Sequence, residues 1–293
     1  NGTFDNTGQT VDLLASLPGT VEFATGAVVL GGTLSGGALA IPNGQTVTFD
    51  GVTLGADVSI GSSSAQLTIA NGLTLNGSTI SINSLANGFS TLSFTGAGGA
   101  TSTLDGTGEV TFSGDSSVES RGRIIVNSST HGLTIGSGIT ISSDTIGGSI
   151  SHTVNNGPIT VLGDIVSDVT ADPVAISASP LTLSGSVDVT NDATFIATFQ
   201  GVGGAITSSA TLSVNTGEIE LRGDFTQDGT ITVTDSTLDL GNVVGDEWSN
   251  TGTIVLSNAT LELGGTFMLC ARLKARFDVA SLAAPFLEEG VRT

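Results

Sequence analysis

The sequence predicts an all-β chain wound as a right-handed, single-stranded parallel β-helix, a β-solenoid of about ten to thirteen coils. Three observations predict it. Runs of three to five alternating apolar and polar residues recur along the chain, Asn-Gly and Asp-Gly turns separate them, and similar phrases return at intervals of roughly twenty residues, the length of one coil.

The runs include Val21-Glu22-Phe23, Leu39-Ala40-Ile41, Val47-Thr48-Phe49, Leu67-Thr68-Ile69, Leu92-Ser93-Phe94 and Val110-Thr111-Phe112. Later examples are Leu133-Thr134-Ile135, Ile159-Thr160-Val161, Leu181-Thr182-Leu183, Ile219-Glu220-Leu221, Ile231-Thr232-Val233 and Leu261-Glu262-Leu263. Each sends apolar side chains to one face and a polar one to the other. Turn pairs such as Asn71-Gly72, Asn76-Gly77, Asp105-Gly106 and Asp228-Gly229 tolerate positive φ and mark the bends. Composition agrees. Aromatics are only 4% of 293 residues and Gly occurs 42 times, so the core must be layers of Val, Ile, Leu, Ala and Thr rather than clustered rings. A mean hydropathy of +0.33 places the chain outside the disordered class.

The net charge is −20, from 27 acidic and 7 basic residues, which excludes a phosphate-neutralising nucleic-acid surface and attraction to an anionic membrane. No apolar stretch reaches eighteen residues, so no membrane-inserting helix is expected. The single Cys270 leaves the fold to its core, without a disulfide. The chain starts at Asn1 and reads as a mature or excised fragment.

Several phrases echo one another: "LTIANGLTLNG" at 67–77 and "LTIGSGITISS" at 133–143, then "NTGEIELRGDF" at 215–225 and "NTGTIVLSNATLELGGTF" at 250–267. Together with "TLDGTGEVTFSG" at 103–114 and "TFDGVTLGADVSI" at 48–60, residues 1–267 resemble the degenerate repeats of large bacterial secreted and surface proteins. These are the repeats of autotransporter passengers and filamentous adhesins, also abundant in planctomycetes. The resemblance implies a secreted or cell-surface bacterial protein. It also implies a structural or adhesin-type role and a carbohydrate or other cell-surface ligand.

Residues 268–293 break the pattern. They hold Met268, Cys270 and Lys274, each the only one of its kind, and four of the seven basic residues. Leu269, Leu273, Phe277 and Ala280 recur at helical spacing, so the segment reads as a short C-terminal capping helix, or alternatively as a non-native extension.

No P-loop, dinucleotide fingerprint, nucleophile elbow or zinc-protease motif is present. The candidate catalytic residues are His131 and His152, about one coil apart, with Arg121, Arg123, Asp144 and Asp164 nearby in sequence. A polysaccharide lyase would use such a base beside a carboxylate, and a glycoside hydrolase would use carboxylates on neighbouring coils. The plainer reading is that both histidines are turn or surface residues. The signatures of pectin-cleaving β-helices are absent, since "THGLT" at 130–134 lacks a preceding glycine and no Asp-Asp pair occurs. No cofactor is expected except Ca²⁺, for which Asp164, Asp168 and Asp172 are the candidate metal ligands, with solvated acidic turns as the alternative. "GVGGA" at 201–205 reads as a solenoid turn, and Trp248 as either a carbohydrate platform or a stacking residue. The expected role is an extracellular structural segment, with a β-helix enzyme as the alternative. Open end coils would also permit end-to-end or lateral self-association.

Overall fold

The computed structural model describes residues 2–276, apart from 17–18, 85–87, 97–100, 116–121, 128–130, 154–156, 171, 208, 242–244 and 270–272. Each coil contributes three strand segments, and each segment occupies one of three faces. In the first coil these are Thr3–Asp5, Thr10–Asp12 and Thr20–Glu22. A middle coil supplies Gly148–His152, Ile159–Val161 and Asp164–Ser167. The last described coil supplies Thr260–Leu263, Thr266–Leu269 and Leu273–Arg276.

Every pairing between coils is parallel. On face one, eleven successive pairings link twelve segments among the described residues. Faces two and three follow the same order. The parallel β-solenoid expected from the sequence is therefore the fold, with a coil count inside the expected range. At about 4.8 Å per coil the stack is about 50–60 Å long. The coil length is less regular than twenty residues: Leu221 lies under Leu240, 19 residues on, whereas Phe94 lies under Val126, 32 residues on. The extra residues enter at the corners, where length does not disturb the ladder.

The alternation read from the sequence sets the core. In Ile159–Val161 and Leu181–Leu183 the outer residues of the triplet are buried and the central Thr is half-exposed. Inward positions stack like on like, Leu133 under Ile159 under Leu181. The largest rings need space from the opposite wall. Phe112, on face three, reaches across to face one under Gly148, where a Cβ would lie 2.3 Å from its ring. Each fully buried Leu, Ile or Phe contributes roughly 1.5–3 kcal/mol, so the continuous core outweighs any single corner contact.

Two features of the corners follow from close stacking. At Gly185 the preceding coil passes so near that a Cβ would lie 1.8 Å from the Gly163 carbonyl oxygen. At the corner between faces three and one, a left-handed residue recurs on successive coils: Asp192, Thr216, Asp235 and Asn258, with φ of 58°, 56°, 50° and 51°. Asn and Asp accept this conformation readily, but a β-branched Thr does not.

The helical spacing at 269–280 does not produce a helix over its described part. Leu269 ends one strand and Leu273 begins the next, aligned with Asn250 and Ile254 of the coil below. Pairing with an existing strand edge satisfies the backbone donors and acceptors at once, whereas a new helix leaves its first turn unpaired. The ladder thus runs past 267 to Arg276, and the choice between a cap and a foreign extension falls on 277–293, outside the described residues. The one described helix is the four-residue Leu13–Ser16, at the other end.

Thr216→Asn is expected to raise stability by about 1 kcal/mol by relieving the left-handed Thr. Gly185→Ala is expected to lower it by about 1–3 kcal/mol, because only backbone stands in the way. Urea unfolding of the two variants measures both changes.

Candidate functional site

The structure places His131 and His152 at the same corner, between faces one and two, on successive coils. His131 lies in the turn before Leu133–Ile135 and is 3% exposed. Its ring packs against Gly96, where a Cβ would sit 2.1 Å from Cδ2. His152 ends the strand Gly148–His152, above Val126, and its ring covers Gly157. A Cβ on Gly157 would meet both the His152 ring and the His131 carbonyl oxygen at 2.5 Å. Both imidazoles are thus packed onto glycine backbone.

Arg123 is elsewhere. It is the second residue of Gly122–Val126, three positions before Val126, and its guanidinium carbon lies 3.0 Å from the Phe89 ring centroid. Arg121 lies outside the described residues. The acidic candidates scatter along face three and its corner with face one. Asp144 accepts from Ser113 Oγ at 3.0 Å, Asp164 from Ser186 Oγ at 2.5 Å, and Asp168 from Ser143 Oγ at 2.9 Å. Asp172 is 7% exposed, and its Oδ2 has no hydrogen-bond partner. Among the described residues, no group of three or more His, Cys, Asp or Glu side chains is arranged to hold a metal ion. The structure therefore brings the two histidines to one corner and leaves Arg123 and the four aspartates apart from them. Trp248 is a stacking residue. It lies between Phe225 and Phe267, with centroids 5.9 and 5.0 Å away, and its Nε1 donates to the Gly264 carbonyl at 3.1 Å.

A further group of charges is not apparent from spacing along the sequence. On face one, Glu220, Asp239 and Glu262 occupy the same outward position on three successive coils. Glu218 lies two residues before Glu220. Arg222 binds Glu220 through both carboxylate oxygens, Nε to Oε1 at 2.6 Å and Nη2 to Oε2 at 2.5 Å. The triplets Ile219-Glu220-Leu221, Leu238-Asp239-Leu240 and Leu261-Glu262-Leu263 carried the signal, but only the register shows that their centres stack.

The electrostatics follow from the stack. The Asp239 carboxyl is pushed up to about 6, first by burial and then by Glu220, Glu262 and Glu218. Glu218 is raised for the same reasons, burial leading. Beside the column, an open groove of about 600 Å³ follows the corner between faces three and one, lined by Glu218, Glu262, Asp192, Asp235, Thr237 and Thr260. The arrangement offers one carboxyl that holds its proton up to about pH 6 beside another held in an ion pair. That is a division of labour suited to proton transfer.

Comparison with known proteins finds no matching family model, no matching curated relative and no matching solved structure.

Because the Asp239 carboxyl titrates higher in the folded chain than its ordinary 3.8, its stabilising contribution is full below about pH 4 and is lost as pH rises through about 6. Asp239→Asn is therefore expected to gain thermal stability relative to the parent chain between about pH 5 and pH 7.5. Paired melting curves at the two pH values measure the gain, and parallel curves would show that the column imposes no such cost.

Proposed function

We propose that this chain is a structural rod, an extracellular β-solenoid segment of a larger bacterial secreted or surface protein of the adhesin or autotransporter-passenger type. The carrying observation is the parallel ladder that runs along all three faces from Thr3 to Arg276 among the described residues, with its register shifts confined to the corners between faces. A stack in which each coil contacts only its neighbours transmits load along its axis and offers a protease few loose ends. The repeat phrases quoted above support the extracellular assignment. The test is proteolytic shaving of intact cells that make the protein. Peptides from this region are expected in the released fraction, and their release only after lysis would remove the extracellular reading.

A second reading, a glycoside hydrolase, is favoured by one observation: the carboxylate column with its raised Asp239. In-register neighbours lie about 4.8 Å apart, close to the ~5 Å carboxyl separation of retaining glycosidases. In this reading Asp239 is the general acid, and Glu220, ion-paired to Arg222, is the second carboxylate. Release of reducing ends from a panel of plant, algal and bacterial polysaccharides tests it. The expected activity fades as pH rises through about 6 and falls at least about a hundredfold in Asp239→Asn. Activity equal in the two proteins, or absent throughout, would leave the column a structural feature.

A further inference from the structure

The corner between faces one and two near the C-terminal coils lies on the other side of face one from the groove described above. There the strand Ala193–Ile206 carries a bulge. Its register with Gly217–Gln227 shifts between Phe199 and Gly204, because Phe199 faces Gly223 while Gly204 faces Phe225. The residues looped out include Gly201 and Gly203, with φ of 67° and 90°. Between them stands Val202, 87% exposed. An apolar side chain held in water by two left-handed glycines is not part of any core.

Above the bulge lies a groove of about 450 Å³, lined by Val202, Asp224, Thr226, Glu247, Phe267 and Met268. Its floor is the edge of the ring stack Phe225, Trp248 and Phe267, with neighbouring planes 8° and 20° apart. Its walls are apolar where they are most exposed, with Phe267 at 41% and Met268 at 64%. Its rim is anionic: Glu247 is exposed and Asp224 half-buried, while the Glu220, Asp239 and Glu262 column lies on the adjoining face. Arg222, on the same face, is committed to Glu220.

We propose that this groove docks a basic peptide segment that pairs apolar side chains with lysine or arginine. The apolar walls take the anchor, and the carboxylates of Asp224 and Glu247 face the cations. The chain's net charge of −20 steers such a partner toward it. A glycan fits the site less well, because Phe225 and Trp248 are only 4% and 3% exposed, which leaves Phe267 as the single exposed ring of the stack where a sugar platform calls for more. A second copy of the chain fits less well too, since two copies each of net charge −20 repel. The proposal is independent of whether the rod is a spacer or an enzyme.

Trp248 is the only tryptophan, so its emission reports on the groove. The full chain is titrated with four probes: a peptide of alternating leucine and lysine, oligolysine, the leucine peptide with glutamate for lysine, and a neutral β-linked glucose oligomer. The leucine-lysine peptide is expected to give a saturable emission change that weakens with added salt. Val202→Asp and Glu247→Lys, both at exposed positions where the fold does not depend on them, are each expected to weaken it about tenfold or more. The other three probes are expected to be silent. No saturable change would overturn the proposal. So would equal binding of oligolysine with Val202→Asp without effect, which marks bulk charge alone, or a response to the glucose oligomer with the peptides silent.

Discussion

The in-register parallel ladder is the constraint on which everything else here depends. Each coil lends its backbone donors and acceptors to the next, so a residue on one coil stands about 4.8 Å from its equivalent on the neighbours. Inside, this forces like onto like and gives continuous columns of Leu, Ile, Val and Phe. Outside, it makes charge a stacking problem. Two like charges about 5 Å apart repel by about 1 kcal/mol in water and about 3 kcal/mol at an effective dielectric of 20. A chain with 27 acidic and 7 basic residues cannot answer that with ion pairs. It answers with donors on the adjoining coil. Asp50 accepts from Asn71, Glu109 from Ser142, Asp164 from Ser186, Asp188 from Ser213, Asp228 from Thr251 and Asp235 from Asn258. The Ser, Thr and Asn that make the sequence look low in information are what let an acidic solenoid stack.

The alternation was readable because it depends only on neighbours in sequence. Triplets such as Leu67-Thr68-Ile69 and Leu73-Thr74-Leu75 are strands as expected, but they are successive faces of one coil, not successive coils. The same holds for the echoes. The phrase at 67–77 spans faces one and two, and its echo at 133–143 spans faces two and three. The unit that repeats is a face plus its corner. Coil length is set by what the corners insert, which is why it ranges so widely around twenty. Helical spacing at 269–273 misled for a related reason. Two leucines four apart fit a helix face, and they fit equally well two strand ends separated by a corner; the waiting edge of 247–257 decides the matter.

The candidate site was less readable because register, not spacing, assembles it. His131 and His152 are about a coil apart in sequence and do reach one corner, yet corners are where inward and outward alternation breaks down, and both rings turn onto glycine backbone. Arg123 obeys the alternation, points outward and lands on Phe89. Glu220, Asp239 and Glu262 are 19 and 23 residues apart, an irregularity that hides them from any fixed period. Only the pairing of Leu221 with Leu240 and of Leu240 with Leu263 aligns them. Trp248 could not be placed from sequence either, since its exposure depends on Phe225 below it and Phe267 above.

The carboxylate column departs from the rule that governs the rest of the surface, and the departure can be weighed. At Asp50, Asp164, Asp188 and Asp235 the acid meets a hydroxyl or an amide on the next coil, whereas Asp239 stands between two glutamates. Arg222 pairs with Glu220, and although its charge also acts to lower Asp239, burial first and the neighbouring carboxylates second keep the Asp239 carboxyl raised. Replacing Asp239 with Ser or Thr would restore the pattern found at Asp164 and Asp188 without disturbing Leu238 or Leu240, which hold the core. The fold therefore does not require a carboxylate at this position. The apolar groove spans four coils at the corner of faces one and two, and the column lies on three of those coils, on face one. That stretch of the rod departs from ladder economy in charge and in exposed apolar area together. A spacer alone calls for neither, so the search for a ligand belongs on coils nine to twelve rather than at the histidine corner.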